Sequence, residues 1–277
     1  MKDLLPRIIS GSFYIILIVL GTTMGPWVFA GLMAVFLILC LIEYISITEL
    51  SDKLYMVLAF IGSAAVFYFF SDYLINQHDA FVLQSLSFAG PVLFLLACFT
   101  ILFSTNELYV EFGKATVGVI YIAVPFSLAL TIPQISFELG KKMISNEILF
   151  IFILIWISDI MAYVIGSLWG KHKLVPKISS GKTWEGAIGG LVFTIIAGYV
   201  LEFFIFPESR FNWLIVGLIV AVSAPVGDII ESKLKRSFNA KDSSKWIPGH
   251  GGFLDRLDSF IFVIPMVYLY LLISSIV

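Results

Sequence analysis

Long apolar stretches alternate with short polar breaks along almost the whole chain. A helix needs about 20 mostly apolar residues to cross the hydrocarbon core of a bilayer. The breaks, such as TTMGP and LSDK, carry turn-forming or charged residues. The pattern predicts an all-α integral membrane protein, a polytopic bundle of about nine transmembrane helices. The expected spans are 8–23, 27–47, 54–75, 83–104, 115–136, 147–169, 186–206, 212–230 and 259–277.

The composition supports a lipid environment. Of the 277 residues, 60% are hydrophobic and only 13% are charged, and the mean hydropathy is +1.01. A soluble domain carries about 25% charged residues. Cys40 and Cys98 lie inside apolar runs, where a free cysteine behaves as a small buried hydrophobe. Because the chain has only three histidines, a histidine-rich metal site is excluded.

Positive charge is concentrated on one side of the predicted bundle. With nine spans, the even-numbered loops share a side with the N-terminus, and 14 of the 17 Lys and Arg residues fall there. Only Lys141, Lys142 and Arg210 fall on the other side. Because cytoplasmic loops carry the excess of Lys and Arg, we expect the N-terminus in the cytoplasm and the C-terminus outside.

The two longest polar loops, 170–185 and 231–258, both lie on the predicted cytoplasmic side and hold ten of the 17 basic residues. This divides the chain into two regions. Residues 1–145 are expected to form the first five spans, around a lipid cavity or a dimer contact. Residues 146–277 are expected to form the catalytic region.

Carboxylates gather where the eighth span ends and the ninth begins. Asp228 and Glu231 lie about one helical turn apart, and the i, i+3 spacing of Asp255 and Asp258 places both on one helix face. If the intervening loop folds back, the three aspartates converge, and a divalent cation would relieve their repulsion. An all-oxygen set favours Mg²⁺ over Zn²⁺. Whether one or two cations bind stays open. Each aspartate taken singly is better explained by pairing with a nearby Lys or Arg, but three aspartates that flank one basic loop favour the metal site.

Basic residues are interleaved with these acids. Juxtamembrane bases often serve only as anchors for anionic lipid. A site for a metal-bound polyphosphate needs both acids and bases, and the adjacent PGHGG turn suits backbone N–H groups that point at phosphate. His250 in that turn is equally suited to bind a phosphate, to bind the base or to cap the turn. The basic cluster comprises Lys233, Lys235, Arg236, Lys241, Lys245 and Arg256.

Two further features point to a site. The loop KISSGKTWEG lacks P-loop spacing, but Ser179, Lys182 and the helix start at Thr183 could together hold a phosphate. Apart from Glu147 at its first position, the sixth span has one charge, Asp159, and a carboxylate inside a membrane is a functional-site candidate.

The stretch ESKLKRSFNAKDSSKWIPGHGGFLDRLDS resembles the signature of the phosphatidate cytidylyltransferases, or CDP-diacylglycerol synthases. Asp159, Ala162 and Tyr163 resemble a second segment of that family, Asp-x-x-Ala-Tyr. The segment 179–186 follows a third, although Ser180 and Gly181 replace its Pro and first Lys. The resemblance covers roughly residues 155–260. The signature positions are Ser232, Lys235, Arg236, Lys241, Asp242, Pro248, His250, Gly251, Gly252, Asp255, Arg256 and Asp258.

The resemblance implies an Mg²⁺-dependent enzyme of phospholipid biosynthesis in a bacterial-type inner membrane. It would convert CTP and phosphatidic acid into CDP-diacylglycerol and pyrophosphate, as a homodimer and with no nucleic-acid partner. A lipid phosphate oxygen attacks the α-phosphorus, so no protein nucleophile is needed. The implied catalytic residues are Asp228, Asp255, Asp258, Lys235 and Arg256, with the three aspartates as metal ligands. The implied substrate-binding residues are Asp159, Ser179, Lys182, Glu231, Ser232, Arg236, Lys241, Asp242 and His250.

Two alternatives remain. A CTP-dependent lipid kinase, such as a polyprenol kinase, would use the same parts and release CDP instead of pyrophosphate. A transporter is disfavoured, because its pathway would need polar residues along several spans, whereas here they crowd one face.

Overall fold

The computed structural model describes residues 4–76, 80–103, 110–138, 146–176, 178–205, 212–244, 246 and 251–276. Within these ranges the chain is a bundle of long helices with one short β-hairpin. The helices are α1 (Leu4–Thr23), α2 (Pro26–Ile47), α3 (Lys53–Asn76), α4 (Ala80–Phe103), α5 (Glu111–Gly118), α6 (Val124–Glu138), α7 (Asn146–Trp169), α8 (Trp184–Val200), α9 (Trp213–Ser237) and α10 (Leu254–Ile276).

The predicted all-α membrane architecture is confirmed. A π-helical segment, Val119–Ala123, joins α5 to α6, and another, Leu201–Ile205, extends α8. The described residues thus form nine continuous helical segments, in the order that the hydropathy pattern predicts. Seven of them contain described stretches long and apolar enough to cross a membrane, and Ser10–Thr23 and Phe88–Phe103 are shorter apolar stretches.

The centre of the bundle is formed by the segment that runs from α5 to α6. Of its apolar window in Glu111–Pro133, 83% is buried, compared with 17% of the window in Lys53–Ser71 on α3. The helices that are less buried expose apolar side chains, as expected for surfaces in contact with lipid. In the core, Phe152 of α7 stacks on Phe260 of α10 with 4.5 Å between ring centroids.

The polar loop predicted at 170–185 contains a two-stranded antiparallel hairpin, β1 (Lys173–Val175) and β2 (Ser179–Thr183). Glu185, in the first turn of α8, fastens its base. Its carboxylate accepts hydrogen bonds from the backbone of Lys171 at 3.1 Å and of His172 at 3.2 Å, and lies 2.6 Å from His172 Nδ1. The hairpin is therefore fixed to the start of α8.

The predicted end of the eighth span needs correction. The hydropathy pattern ended it at 230 and assigned 231–258 to a loop, whereas α9 continues to Ser237 and α10 begins at Leu254. The charged turns remain helical because Glu231 and Lys235 form an i, i+4 ion pair and the basic side chains near the end of α9 complement the helix dipole. Hydropathy marks where apolar residues stop, which here lies two turns before the helix ends.

Candidate active site

Three carboxylates from two helices meet at one end of the bundle. Asp228 and Glu231 of α9 and Asp258 of α10 each place one oxygen so that all three oxygens lie within 4.8 Å of one another. The helices approach closely at Gly227, where a β-carbon would lie 2.7 Å from the Asp258 carbonyl and 2.9 Å from Phe262 Cβ. We call Asp228, Glu231 and Asp258 the carboxylate cluster.

Glu231 is the most deeply buried member of the carboxylate cluster. Its side chain is 0% exposed, and Oε2 forms an ion pair with Lys235 Nζ at 2.5 Å. Oε1 is buried and has no hydrogen-bond partner among the described residues. Buried polar atoms normally have a partner, and Mg²⁺ prefers oxygen ligands such as carboxylates. The cluster therefore fits a divalent cation.

Asp228 links the carboxylate cluster to the hairpin. Its Oδ2 lies 2.7 Å from Lys182 Nζ, and its Oδ1 accepts a hydrogen bond from Ser232 Oγ at 3.1 Å. Lys182 also donates to the Pro225 carbonyl at 3.1 Å. Lys182, on strand β2, thus places its ammonium group at the edge of the carboxylate cluster, and its side chain is still 20% exposed.

A cavity of about 390 Å³ lies next to this ion pair, between α7, the hairpin, the start of α8 and α9. Asp159 and Tyr163 of α7 line it, together with Ser179, Lys182 and Asp228. Both α7 side chains are exposed, Tyr163 to 76%. The cavity therefore combines charged groups with the apolar surface of transmembrane helices.

Lys235 connects the carboxylate cluster to the start of α10. Its ammonium lies 2.5 Å from Glu231 Oε2 and 2.6 Å from Asp255 Oδ1, and its side chain is only 10% exposed. Asp255 Oδ2 also accepts hydrogen bonds from the amides of Ser243 at 3.0 Å and Gly252 at 2.8 Å. It lies 2.9 Å from the Ser243 hydroxyl, whose single proton it shares with Glu43 Oε2 at 2.7 Å. Asp255 is thus occupied by protein donors.

Comparison with known proteins decides the family. The model of the "Cytidylyltransferase family" matches residues 5–274. The chain belongs to the cytidylyltransferase family. Relatives named phosphatidate cytidylyltransferase are 37% identical in Staphylococcus haemolyticus, 36% in Staphylococcus saprophyticus and 35% in Staphylococcus aureus strain COL, over 180, 180 and 182 residues. The aligned part is 65% of this chain and spans 66% of each relative's length, just under two thirds.

Several expected site residues lie outside the carboxylate cluster, around the loop between α9 and α10. Arg236 donates to the Ala240 carbonyl at 3.0 Å and so closes the end of α9. Lys241 and Asp242 are exposed. Arg256 is exposed on the first turn of α10, and its carbonyl accepts a hydrogen bond from Tyr14 at 3.2 Å. His250 lies outside the described residues.

The expected metal set was Asp228, Asp255 and Asp258. The structure brings Asp228 and Asp258 together with Glu231, and it directs Asp255 toward Lys235 and the loop. Glu43 of α2 was not among the expected site residues, although it is a buried carboxylate whose oxygens face the loop between α9 and α10. The signal that singled out Asp159, a charge alone in an apolar span, also marks Glu43.

Proposed function

We propose that this cytidylyltransferase transfers CMP from CTP to phosphatidic acid, giving CDP-diacylglycerol and pyrophosphate for phospholipid synthesis. The observation that carries the proposal is the carboxylate cluster, which lies beside Lys182 and a cavity at one end of a bundle of membrane helices. A soluble triphosphate and a membrane lipid can meet at such a place. The names of the Staphylococcus relatives support the same reaction.

Asp228, Glu231 and Asp258 would hold Mg²⁺. When bound, the ion would neutralise triphosphate charge and polarise the α-phosphate. Asp255, which the sequence reasoning grouped with the ligands, instead orients Lys235, because four protein donors already surround it. A second cation is not needed by this arrangement.

The transfer itself requires no nucleophile from the protein. A phosphate oxygen of the lipid attacks the α-phosphorus of CTP, and the bond between the α-phosphorus and the oxygen that bridges to the β-phosphate breaks, releasing pyrophosphate. The protein has to position two polyanions and offset their repulsion. Lys182 lines the cavity. Lys241, on the loop after α9, and Arg256, on the first turn of α10, are exposed, and they would bind phosphate oxygens.

We place the site on the cytoplasmic side, with the N-terminus inside and the C-terminus outside. The excess of Lys and Arg on this side of the bundle supports that orientation, and CTP is a cytoplasmic solute. Asp159 and Ser179 line the cavity where the lipid headgroup would enter. The homodimer stays a prediction, which the mass of the purified protein in detergent will test.

The reaction is tested with the full chain reconstituted into vesicles that contain phosphatidic acid. Addition of CTP and Mg²⁺ should yield one pyrophosphate for each CDP-diacylglycerol identified by mass. Asp258→Asn should abolish this turnover, whereas Asp52→Asn, at an exposed acid that caps α3 outside the cluster, should retain it. Release of CDP with a phosphorylated lipid would instead establish a kinase, and an active Asp258→Asn protein would refute the assigned site.

A further inference from the structure

Glu43 is a buried carboxylate with four donors. It is the only charged residue of α2, and it is 1% exposed. Oε1 accepts hydrogen bonds from Ser244 Oγ at 2.7 Å and from the Phe253 amide at 2.9 Å. Oε2 accepts from Ser243 Oγ at 2.7 Å and from the Leu254 amide at 2.8 Å. Each oxygen thus accepts one hydrogen bond from residues 243–244 and one from residues 253–254.

These contacts fix both sides of the loop between α9 and α10. The amides of Phe253 and Leu254 are the first N–H groups of α10, which have no partner within their own helix. A carboxylate at this position also complements the helix dipole. The loop approaches so closely that a β-carbon at Gly252 would collide with the carboxylate of Glu43 and with Ser243 Oγ. A larger residue there would force these side chains to move.

A continuous chain of polar contacts leads from Glu43 to the carboxylate cluster. Ser243 Oγ lies 2.7 Å from Glu43 Oε2 and 2.9 Å from Asp255 Oδ2. Asp255 contacts Lys235 at 2.6 Å, and Lys235 contacts Glu231 at 2.5 Å. Glu43, Ser243, Lys235 and Glu231 are buried, and the Asp255 side chain is only 13% exposed, so solvent does not interrupt this chain of contacts.

We propose that Glu43 is a positioning residue for nucleotidyl transfer: it holds Ser243 and the start of α10 so that Asp255 and Lys235 orient Glu231 within the carboxylate cluster. The inference rests on the proposed function and gives the N-terminal helices a part in it. Glu43 lies 200 positions from Ser243 in the sequence, and through this contact it would set the geometry of a proposed metal ligand, Glu231. Groups that orient metal ligands typically change metal affinity or activity by about 10–100-fold when mutated.

The test compares Glu43→Gln with Glu202→Gln in the full-length protein in detergent. Glu202 is a matched control, since its carboxylate accepts a hydrogen bond from the first amide of α9, Trp213, at 2.6 Å and lies outside the polar chain. Binding of Mn²⁺ is measured by electron paramagnetic resonance without substrate, and kcat and KM are measured with CTP and phosphatidic acid.

In Glu43→Gln we expect the Kd for Mn²⁺ to rise about tenfold and kcat to fall by about 10–100-fold, with KM changed by less than about twofold. Glu202→Gln should leave all three unchanged. A folded Glu43→Gln protein with wild-type Mn²⁺ affinity and kcat overturns the proposal. Mn²⁺ binding needs no turnover, so a wild type that binds Mn²⁺ but does not convert CTP refutes the proposed reaction alone.

If Glu43→Gln does not fold, Ser243→Ala decides. It removes the hydroxyl that bridges Glu43 and Asp255. The Ser243 amide still donates to Asp255, and Glu43 keeps its bonds to Ser244, Phe253 and Leu254. The same weakening of Mn²⁺ binding and the same fall in kcat are expected. Wild-type values in Ser243→Ala would overturn the proposal, because the polar chain would then carry no influence on the cluster.

Discussion

Lys235→Met tests how the site tolerates its buried charges. Lys235 lies between Glu231, whose side chain is 0% exposed, and Asp255, whose side chain is 13% exposed. Methionine fills a similar volume but leaves both carboxylates without their shared cation. Removing one partner of a buried ion pair costs about 3–5 kcal/mol, because the remaining charge is uncompensated and cannot regain its water. We expect a loss of that size in the free energy of unfolding.

The assay is unfolding in mixed micelles with increasing SDS, without divalent cations. Lys233→Met, two residues earlier on the same helix and only partly buried, is the matched control and should change stability by less than about 0.5 kcal/mol. Adding Glu231→Gln to Lys235→Met removes the stranded charge and should recover at least about 2 kcal/mol, since contacting residues are not additive. A Lys235→Met loss below about 1 kcal/mol, or a further loss in the double variant, would contradict this account.

Three further outcomes are expected. Lys182→Met should lower kcat/KM for CTP by about 10–100-fold, since a hydrogen bond to a charged group contributes about 1.5–3 kcal/mol; initial rates measure this, and an unchanged value would remove the residue from the site. Gly252→Ala should cost about 1–3 kcal/mol in SDS unfolding because its β-carbon has no room, whereas Gly181→Ala, with no atom within 4 Å, should be near neutral. Glu185→Gln should speed amide exchange in 171–184, because the carboxylate fastens the hairpin; equal exchange rates would disprove that role.

Sequence reasoning could predict what depends on neighbouring residues in the chain. Hydropathy located the membrane helices, because each span has to be apolar over its own length. The crowding of polar residues into 170–185 and 231–258 indicated where the site lies, and the signature at 228–258 predicted the family. These signals are local, and they need no knowledge of which helices touch.

Local spacing could not show which carboxylates share a site. The i, i+3 positions of Asp255 and Asp258 predicted that both would join one site on a shared helix face, yet the two carboxylates contact different residues of α9. Asp258 meets Asp228 and Glu231, while Lys235, one turn further along α9, draws Asp255 toward the loop. Their assignment depends on the register between α9 and α10, which is decided by the close approach at Gly227.

What the sequence determined by itself is therefore a membrane bundle with its charged chemistry at one boundary. Tertiary packing sets the ion pair between Lys182 and Asp228, and it sets the contact of Glu43 with the start of α10 at Leu254, 211 residues away in the sequence. The physical reason is that hydropathy and motif spacing act along the chain, whereas an ion pair or a buried hydrogen bond forms between side chains that packing brings together. A lone glutamate in an apolar helix signals that a partner exists, and the fold determines which one.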